Sequence, residues 1–260
     1  MIDALLLAAA ASFHPPLGVP LAYVSSEDRT IGGKTMHFES HRRITFTRIG
    51  DGFVATIRFE RAADDAGGDV ASMFQAAMAS LAGRPVVLRL DAAGTVIAVD
   101  DAGATWTALC DAVARLPGTA SRREHATAFA AALRALPETQ RAAMLGSLVA
   151  PLIAGDQALL AAGSSEPVEI RARPPIPRNI TLKGTQTVTR DANGRLMLHV
   201  AAAGDTPIPD GTSAHVAADR DRVVDPTTGL VLSVHDRMSA TIDGDRMTTD
   251  TRVTLTLPVS

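Results

Sequence analysis

The sequence predicts an α+β fold, in which N- and C-terminal strands form a strongly coiled antiparallel sheet, or half-barrel, covered on its apolar face by a central helical block. Two observations predict this class. Apolar and polar residues alternate with period two near both ends of the chain, whereas an Ala- and Leu-rich middle places apolar residues at helical spacing. Long strands accumulate right-handed twist, so we expect the sheet to coil.

The first strands are predicted within residues 20–62. From Lys34 to Ile49, the alternation puts Met36, Phe38, Ile44 and Phe46 on one face and polar residues on the other. Gly50-Asp51-Gly52 supplies a turn, after which a second strand continues the apolar face and completes a hairpin. A weaker pattern around Leu21 to Val24 adds a further strand.

Residues 69–162 carry the helical pattern, interrupted by a short hairpin near Val86 to Val99. Asp69 is a candidate N-cap for the first helix, and Ser121 with Glu124 forms a candidate capping box for a later one. A Pro-rich crossing at 173–177 then leads into the final strands. Residues 165–258 are predicted to form an antiparallel meander with one solvent-exposed face. We therefore treat 20–260 as a single domain.

Composition and charge exclude some functions. The chain has 260 residues and 46% hydrophobic content, enough for a substantial core. Its net charge of -3, with Arg and Asp interspersed, provides no broad basic field, so nucleic acid is not an expected partner. The one cysteine, Cys110, cannot form an internal disulfide, and its apolar neighbours favour a buried, inert thiol.

The N-terminus bears on localisation. An apolar run from Ala4 to Ala11 ends at Ser12, which predicts a signal peptide over residues 1–12 and a periplasmic or secreted protein. Asp3, and the lack of Lys or Arg before the run, favour the alternative of an N-terminal helix in a cytoplasmic protein. The run is too short to span a bilayer, so the protein is not expected to be membrane-spanning.

A resemblance supports the same layout. The order of strands, helical insert and strands, with the closing run Asp225-Pro226-Thr227-Thr228-Gly229-Leu230-Val231-Leu232-Ser233, resembles uncharacterised Gram-negative envelope proteins. It is more distantly similar to periplasmic lipoprotein-carrier half-barrels. The resemblance implies an envelope location and a half-barrel layout, and it transfers no functional residue. Coiling of the sheet under the helices leaves either a solid core or a cavity between the two layers.

The functional hypothesis is a soluble periplasmic carrier for an apolar or amphipathic partner, such as an acyl chain or a hydrophobic protein segment, with no cofactor. Apolar residues on both layers are the predicted lining. They are Met36, Phe38, Phe46, Ile57, Phe59, Phe74, Met78, Trp106, Leu109 and Phe129. A solid core would need the same residues. The alternative is an envelope assembly factor that acts through exposed strand edges.

A metal-dependent enzyme is a third hypothesis. His37, Glu39 and His41 share one strand face, and His199, His215 or His235 from another strand could complete a site. Two groups of carboxylates near turns are weaker candidates for calcium. They are Asp219, Asp221 and Asp225, and Asp243, Asp245 and Asp250. The interleaved Arg220, Arg222 and Arg246 favour ordinary ion pairs there instead. No nucleophile motif is present, so we assign no catalytic residue.

Overall fold

One antiparallel sheet of eleven strands organises the protein in a computed structural model that describes residues 13–64, 68–172, 180–207, 213–242 and 245–257. The strands are β1 (Leu21–Ile31), β2 (Lys34–Ile49), β3 (Gly52–Asp64), β4 (Val86–Leu90), β5 (Val96–Val99), β6 (Ser165–Arg171), β7 (Thr181–Arg190), β8 (Leu196–Pro207), β9 (Ser213–Asp225), β10 (Leu230–Ile242) and β11 (Asp245–Thr256). Their order across the sheet is β5-β4-β3-β2-β1-β11-β10-β9-β8-β7-β6.

The pairing of β1 with β11 joins the two ends of the chain. The register runs from Ala22 opposite Thr256 to Thr30 opposite Thr248. This pairing confirms that the N- and C-terminal strands belong to one sheet, as the sequence predicts. The sheet is open, with β5 and β6 at its two edges.

The two faces of the sheet differ in chemistry because successive side chains of a strand alternate between them. We call the face that carries Leu21, Phe46 and Leu255 the buried face, since these side chains are almost inaccessible to solvent. The opposite face, which carries His37, Asp250 and His199, is called the exposed face.

The helices cover one end of the buried face. They are α1 (Gly68–Ala82), α2 (Ala102–Ala114), α3 (Ala120–Arg134) and α4 (Glu138–Gly146), followed by 3₁₀ turns at Ala150–Leu152 and Gly155–Leu159. Helix α1 packs on β3 and α4 on β5, while α2 and α3 pack on each other. Helix α3 is capped by Thr119, whose side chain accepts from the Arg122 amide, so the capping box predicted at Ser121 is wrong by two residues.

Two apolar clusters lie on the buried face. The larger includes Phe46, Ile57 and Leu88 and is packed against the helical block. The smaller includes Leu182, Val216 and Met238, and its described members all come from strands or residues beside them. The expected helical cover therefore reaches only part of the apolar face, because the helices gather at the β3–β5 end.

The sheet curls sharply where the smaller cluster lies. Some Cα atoms of β6 and β8 approach within 8 Å although β7 lies between them, whereas a flat sheet would separate them by about 9.6 Å. Strand β7 also lies very close to β8 at Gly184. A Cβ atom at that position would stand 2.0 Å from the Ala201 carbonyl oxygen and 2.5 Å from the Ala202 Cα.

Residues 1–12, where the signal peptide is predicted, lie outside the described residues, as does the Pro-rich crossing. Within the described ranges, no helix has both the length and the apolar character needed to cross a bilayer.

Candidate functional site

A belt of polar side chains crosses the buried face between the two apolar clusters. Arg220 and Arg222 contribute to it from β9, and Asp236 stands opposite Arg220 on β10. On the other side of β11, Ser40 on β2 is 2% exposed and lies in the same belt. Burying polar groups is costly unless they have partners, so the contacts of this belt decide its role.

Arg220 and Asp236 form a buried ion pair. The Nη2 and Nε atoms of Arg220 lie 2.7 and 2.9 Å from Oδ2 of Asp236. Their side chains are only 13% and 5% exposed. Among the residues whose burial the structure describes, Asp236 is the one buried carboxylate residue. The pair is therefore held by charge-assisted hydrogen bonds that bulk water does not weaken.

A cavity of about 210 Å³ opens beside this pair. Its lining combines apolar side chains with the two arginines of β9. The lining residues are Gln157, Val168, Glu169, Ile170, Gln186, Leu198, Val200, Arg220 and Arg222. Arg222 donates from Nη1 to the Gln157 side-chain oxygen at 2.6 Å. The cavity thus has an apolar wall and a cationic end, a combination that suits an amphipathic anion.

Arg42 adds a second cationic group to the buried face. Its guanidinium lies 4.9 Å from the ring centroid of Tyr23 and 5.0 Å from that of Phe59, and Nη2 donates to Ser40 Oγ at 2.9 Å. Burial lowers the pKa of Arg42 and raises the pKa of Tyr23, although the contact between the two groups opposes both shifts. Among the described residues, no carboxylate forms an ion pair with Arg42.

The exposed face carries a set of histidine–carboxylate pairs. Four of the five pairs join residues on adjacent strands, and one joins two residues of β2. The pairs are His37–Asp28 at 2.6 Å, His41–Glu39 at 2.6 Å, His199–Asp221 at 2.9 Å, His215–Asp205 at 2.8 Å and His235–Asp250 at 3.0 Å. The imidazoles of this face are therefore engaged with carboxylates, as expected for a solvated polar face.

The three residues of the metal hypothesis, His37, Glu39 and His41, do not converge on one point. His37 bonds Asp28, whereas His41 and Arg61 both contact Glu39. These contacts hold the pKa of Glu39 below its ordinary value, chiefly through the hydrogen bond with His41. In the described ranges, one group of three or more His, Cys, Asp or Glu residues has its ligand atoms close together. It consists of His199, Asp219 and Asp221.

The predicted lining residues are distributed over several environments. Phe46 and Ile57 are fully buried, and Phe38 and Phe59 nearly so. Phe38 stacks edge-to-face on Phe74, with 5.2 Å between ring centroids. Met78 and Leu109 pack at the margin of the larger cluster, and Met36 is half-buried.

Two further predicted residues lie on helices α2 and α3. Trp106 packs with Cys110 and Leu145 in a small cluster between helices, and its Nε1 donates to the Leu133 carbonyl at 3.0 Å. Burial raises the pKa of the Cys110 thiol, which agrees with an inert cysteine. Phe129 is 47% exposed on α3. None of the ten predicted residues lines the 210 Å³ cavity, so their binding role stays a prediction.

Sequence reasoning missed Arg220 and Arg222 as candidate binding residues because both lie among aspartates near a turn. A usable signal was present. Both have even numbers in a strand whose other even positions, from Ala214 to Val224, are apolar and face the core. A charged residue at a core position of a strand is a candidate for function.

Comparisons with known proteins add little to this geometry. No protein-family model matches the chain, and no curated protein matches it significantly. Among solved structures, the chain is similar to a protein of unknown function from the DUF3598 family of Nostoc punctiforme. The two share 11% identity over 92% of this chain and 95% of that chain, with a TM-score of 0.16. A TM-score this low establishes no common fold.

Proposed function

We propose that this protein is a carrier or binding protein for a small amphipathic anion, such as the carboxylate end of an acyl chain. The observation that carries the proposal is the cavity bounded by Arg220, Arg222 and an apolar wall of Leu198, Val200 and Ile170. Arginine presents donors in a planar fork that matches a carboxylate, and the apolar wall matches a short chain.

The charge of the belt favours an anion. Arg220 and Arg222 lie two residues apart on one strand and face the same side, whereas Asp236 alone is a buried carboxylate in the described ranges. Glu169 also lines the cavity, but its side chain is 65% exposed and lies near Lys183. An anion that accepted from Arg222 would replace the neutral amide oxygen of Gln157 with a negatively charged acceptor, so that both partners of the hydrogen bond carry charge.

The size of the cavity defines the part of the ligand that is enclosed. A volume of about 210 Å³ corresponds to roughly seven groups the size of a water molecule, at about 30 Å³ each. A carboxylate with a chain of about six carbons fills that space.

We further infer that the curl of the sheet near Gly184 makes a half-barrel around this cavity. We also infer that residues 1–12 direct export to the periplasm.

Calorimetric titration with three probes of equal chain length tests this function. Hexanoate, hexanol and hexylammonium differ in head-group charge but not in the apolar part. We expect saturable binding of hexanoate, binding of hexanol weaker by tenfold or more, and no binding of hexylammonium. Equal binding of all three, or binding of the cation alone, would contradict the proposal.

An assembly role is the second candidate, and the free edge of β5 favours it. Ile97 on this strand is 65% exposed, beside a groove of about 490 Å³ between β5 and α4. An edge strand offers unpaired backbone groups to another chain. If two copies pair through β5, sedimentation velocity will show a concentration-dependent dimer that Ile97→Lys abolishes. Monomers at every concentration would argue against it.

A further inference from the structure

We propose that His199, Asp219 and Asp221 form a zinc-binding site on the exposed face of the sheet. His199 on β8 stands directly opposite Asp221 on β9, and Asp219 lies two residues from Asp221 along the same strand. Each residue offers a ligand atom, and these atoms all lie within 4.8 Å of one another. The pleat directs all three side chains to the same side because 219 and 221 share a face.

The neighbouring arginines do not neutralise these carboxylates. Arg220 and Arg222 alternate with Asp219 and Asp221 in the sequence, which favours ion pairs between them. Strand geometry prevents this, because residues one apart point to opposite faces. Arg220 instead bonds Asp236, and Arg222 bonds Gln157, on the buried face.

The cations of the next strand are also directed elsewhere. On β10, Arg237 stands opposite Asp219 and His235 stands opposite Asp221. Both side chains contact Asp250 on β11, at 3.1 and 3.0 Å. Among the described residues, Asp219 and Asp221 therefore share one ion-pair partner, His199. Two carboxylates this close to each other repel, and a divalent cation would relieve that repulsion.

The donor set fits zinc. One imidazole nitrogen and two carboxylate oxygens are common zinc ligands, with bonds of about 2.0–2.2 Å. His199 already lies between the carboxylates. Its Nδ1 is 2.9 Å from Asp221 Oδ1, and its Nε2 is 3.8 Å from Asp219 Oδ2. Tetrahedral coordination separates ligand atoms by about 3.3 Å, so rotations of these half-exposed side chains can close the site without moving the strands.

A fourth coordination position remains open to solvent. Asp219 lines a groove of about 690 Å³ on this face, together with the small side chains of Ala201 and Ala217. Small residues next to the cluster leave room for a water ligand. A site with three protein ligands and one open position is the arrangement expected for zinc that keeps a bound water.

The test is a calorimetric titration of tag-free, chelator-treated protein with ZnCl₂, paralleled by CaCl₂ and MgCl₂. We expect one saturable zinc site per chain and at least tenfold weaker binding in His199→Ala and Asp219→Asn. His215→Ala is the matched control, because His215 pairs with a single carboxylate, Asp205, on the same face. That variant should bind zinc like the wild type.

Three outcomes would overturn the proposal: no saturable zinc binding, equal loss of affinity in His215→Ala, or preferential binding of calcium or magnesium. Circular dichroism of each variant verifies that the sheet is intact. Replacing zinc by Co²⁺ gives an independent readout. Its visible absorption should report tetrahedral nitrogen and oxygen ligation in the wild type and lose intensity in His199→Ala.

Discussion

Arg220 donates to Asp236 across β9 and β10 with 2.7 Å between Nη2 and Oδ2, in a position where both side chains are shielded from solvent. This ion pair lies in the middle of the buried face, between two apolar clusters. It explains how the sheet tolerates a polar belt inside its core. The pair also holds one wall of the cavity proposed to bind an anion.

Removing the charge of Asp236 should destabilise the fold strongly. Asp236→Asn leaves the Arg220 guanidinium buried without its carboxylate, at a cost of about 3–5 kcal/mol in the free energy of unfolding. Asp100→Asn is the control, because Arg89 and Asp100 form a pair at the surface, with side chains 50% and 39% exposed. That change should cost far less, because solvent screens an exposed pair. Urea denaturation measures both, and equal losses would rule out a special role for the buried pair.

Asp250 should make stability depend on pH. Burial alone would raise the pKa of this carboxyl group, but hydrogen bonds from His235 and Arg237, with the charge of Arg252, bring the pKa below its ordinary value. A carboxyl group whose pKa is lower in the folded state than in the unfolded state stabilises the fold. This stabilisation is fully present above the unfolded-state pKa of about 3.9 and is lost as pH falls through the folded-state pKa.

The variant Asp250→Asn separates this contribution from the rest. The difference in unfolding free energy between wild type and variant should be present at about pH 5 and above and should narrow below about pH 4. Urea denaturation across this range measures it. A difference that stays constant or widens toward pH 3 would show that the carboxylate contacts do not stabilise the folded state.

Gly184 should be intolerant of a side chain because of its close approach to β8. A Cβ atom there would collide with backbone atoms of Ala201 and Ala202. We expect Gly184→Ala to cost about 1–3 kcal/mol or more in thermal unfolding experiments. Gly103 in α2 has open space around it, so Gly103→Ala should be neutral or stabilise by up to about 1 kcal/mol. The reverse order of the two variants would contradict the close approach of Gly184 to β8.

The ten apolar residues predicted as a lining should differ in their contribution to stability. Phe46 is fully buried and contacts Phe13 edge-to-face, with 5.6 Å between ring centroids. Phe46→Ala should cost about 3–5 kcal/mol. Phe129 is 47% exposed, so Phe129→Ala should change the free energy of unfolding by no more than about 0.5 kcal/mol. A large loss at Phe129 would indicate contacts beyond those described.

Strands with strict alternation were predictable from the sequence. The bounds predicted for the first long strand, Lys34–Ile49, match β2, because the alternation is clear and glycine-containing turns flank both ends. Strand β1 was harder to predict. It extends to Ile31, well beyond the predicted Val24, because Ser25–Arg29 is polar on both faces of the sheet. The buried side of that segment belongs to the polar belt, so the period-two signal disappears there.

The candidate sites depend on register, which the sequence does not provide. Arg220 and Asp236 are 16 residues apart, and only the β9–β10 pairing places them opposite each other. Likewise, the pairing of His199 with Asp221 depends on where β8 lies against β9. Residue type alone favoured ion pairs between neighbouring Asp and Arg residues. The pleat separates those neighbours and creates two sites of opposite charge on the two faces.

The most direct test of the carrier proposal measures hexanoate affinity after removal of one cavity charge. Arg222→Met keeps the length and apolar stem of the side chain but removes the guanidinium. Arg58→Met, on the exposed side of β3, is the matched control. We predict that Arg222→Met lowers hexanoate affinity at least tenfold while Arg58→Met leaves it unchanged. Wild-type affinity in Arg222→Met would show that the anion does not bind in this cavity.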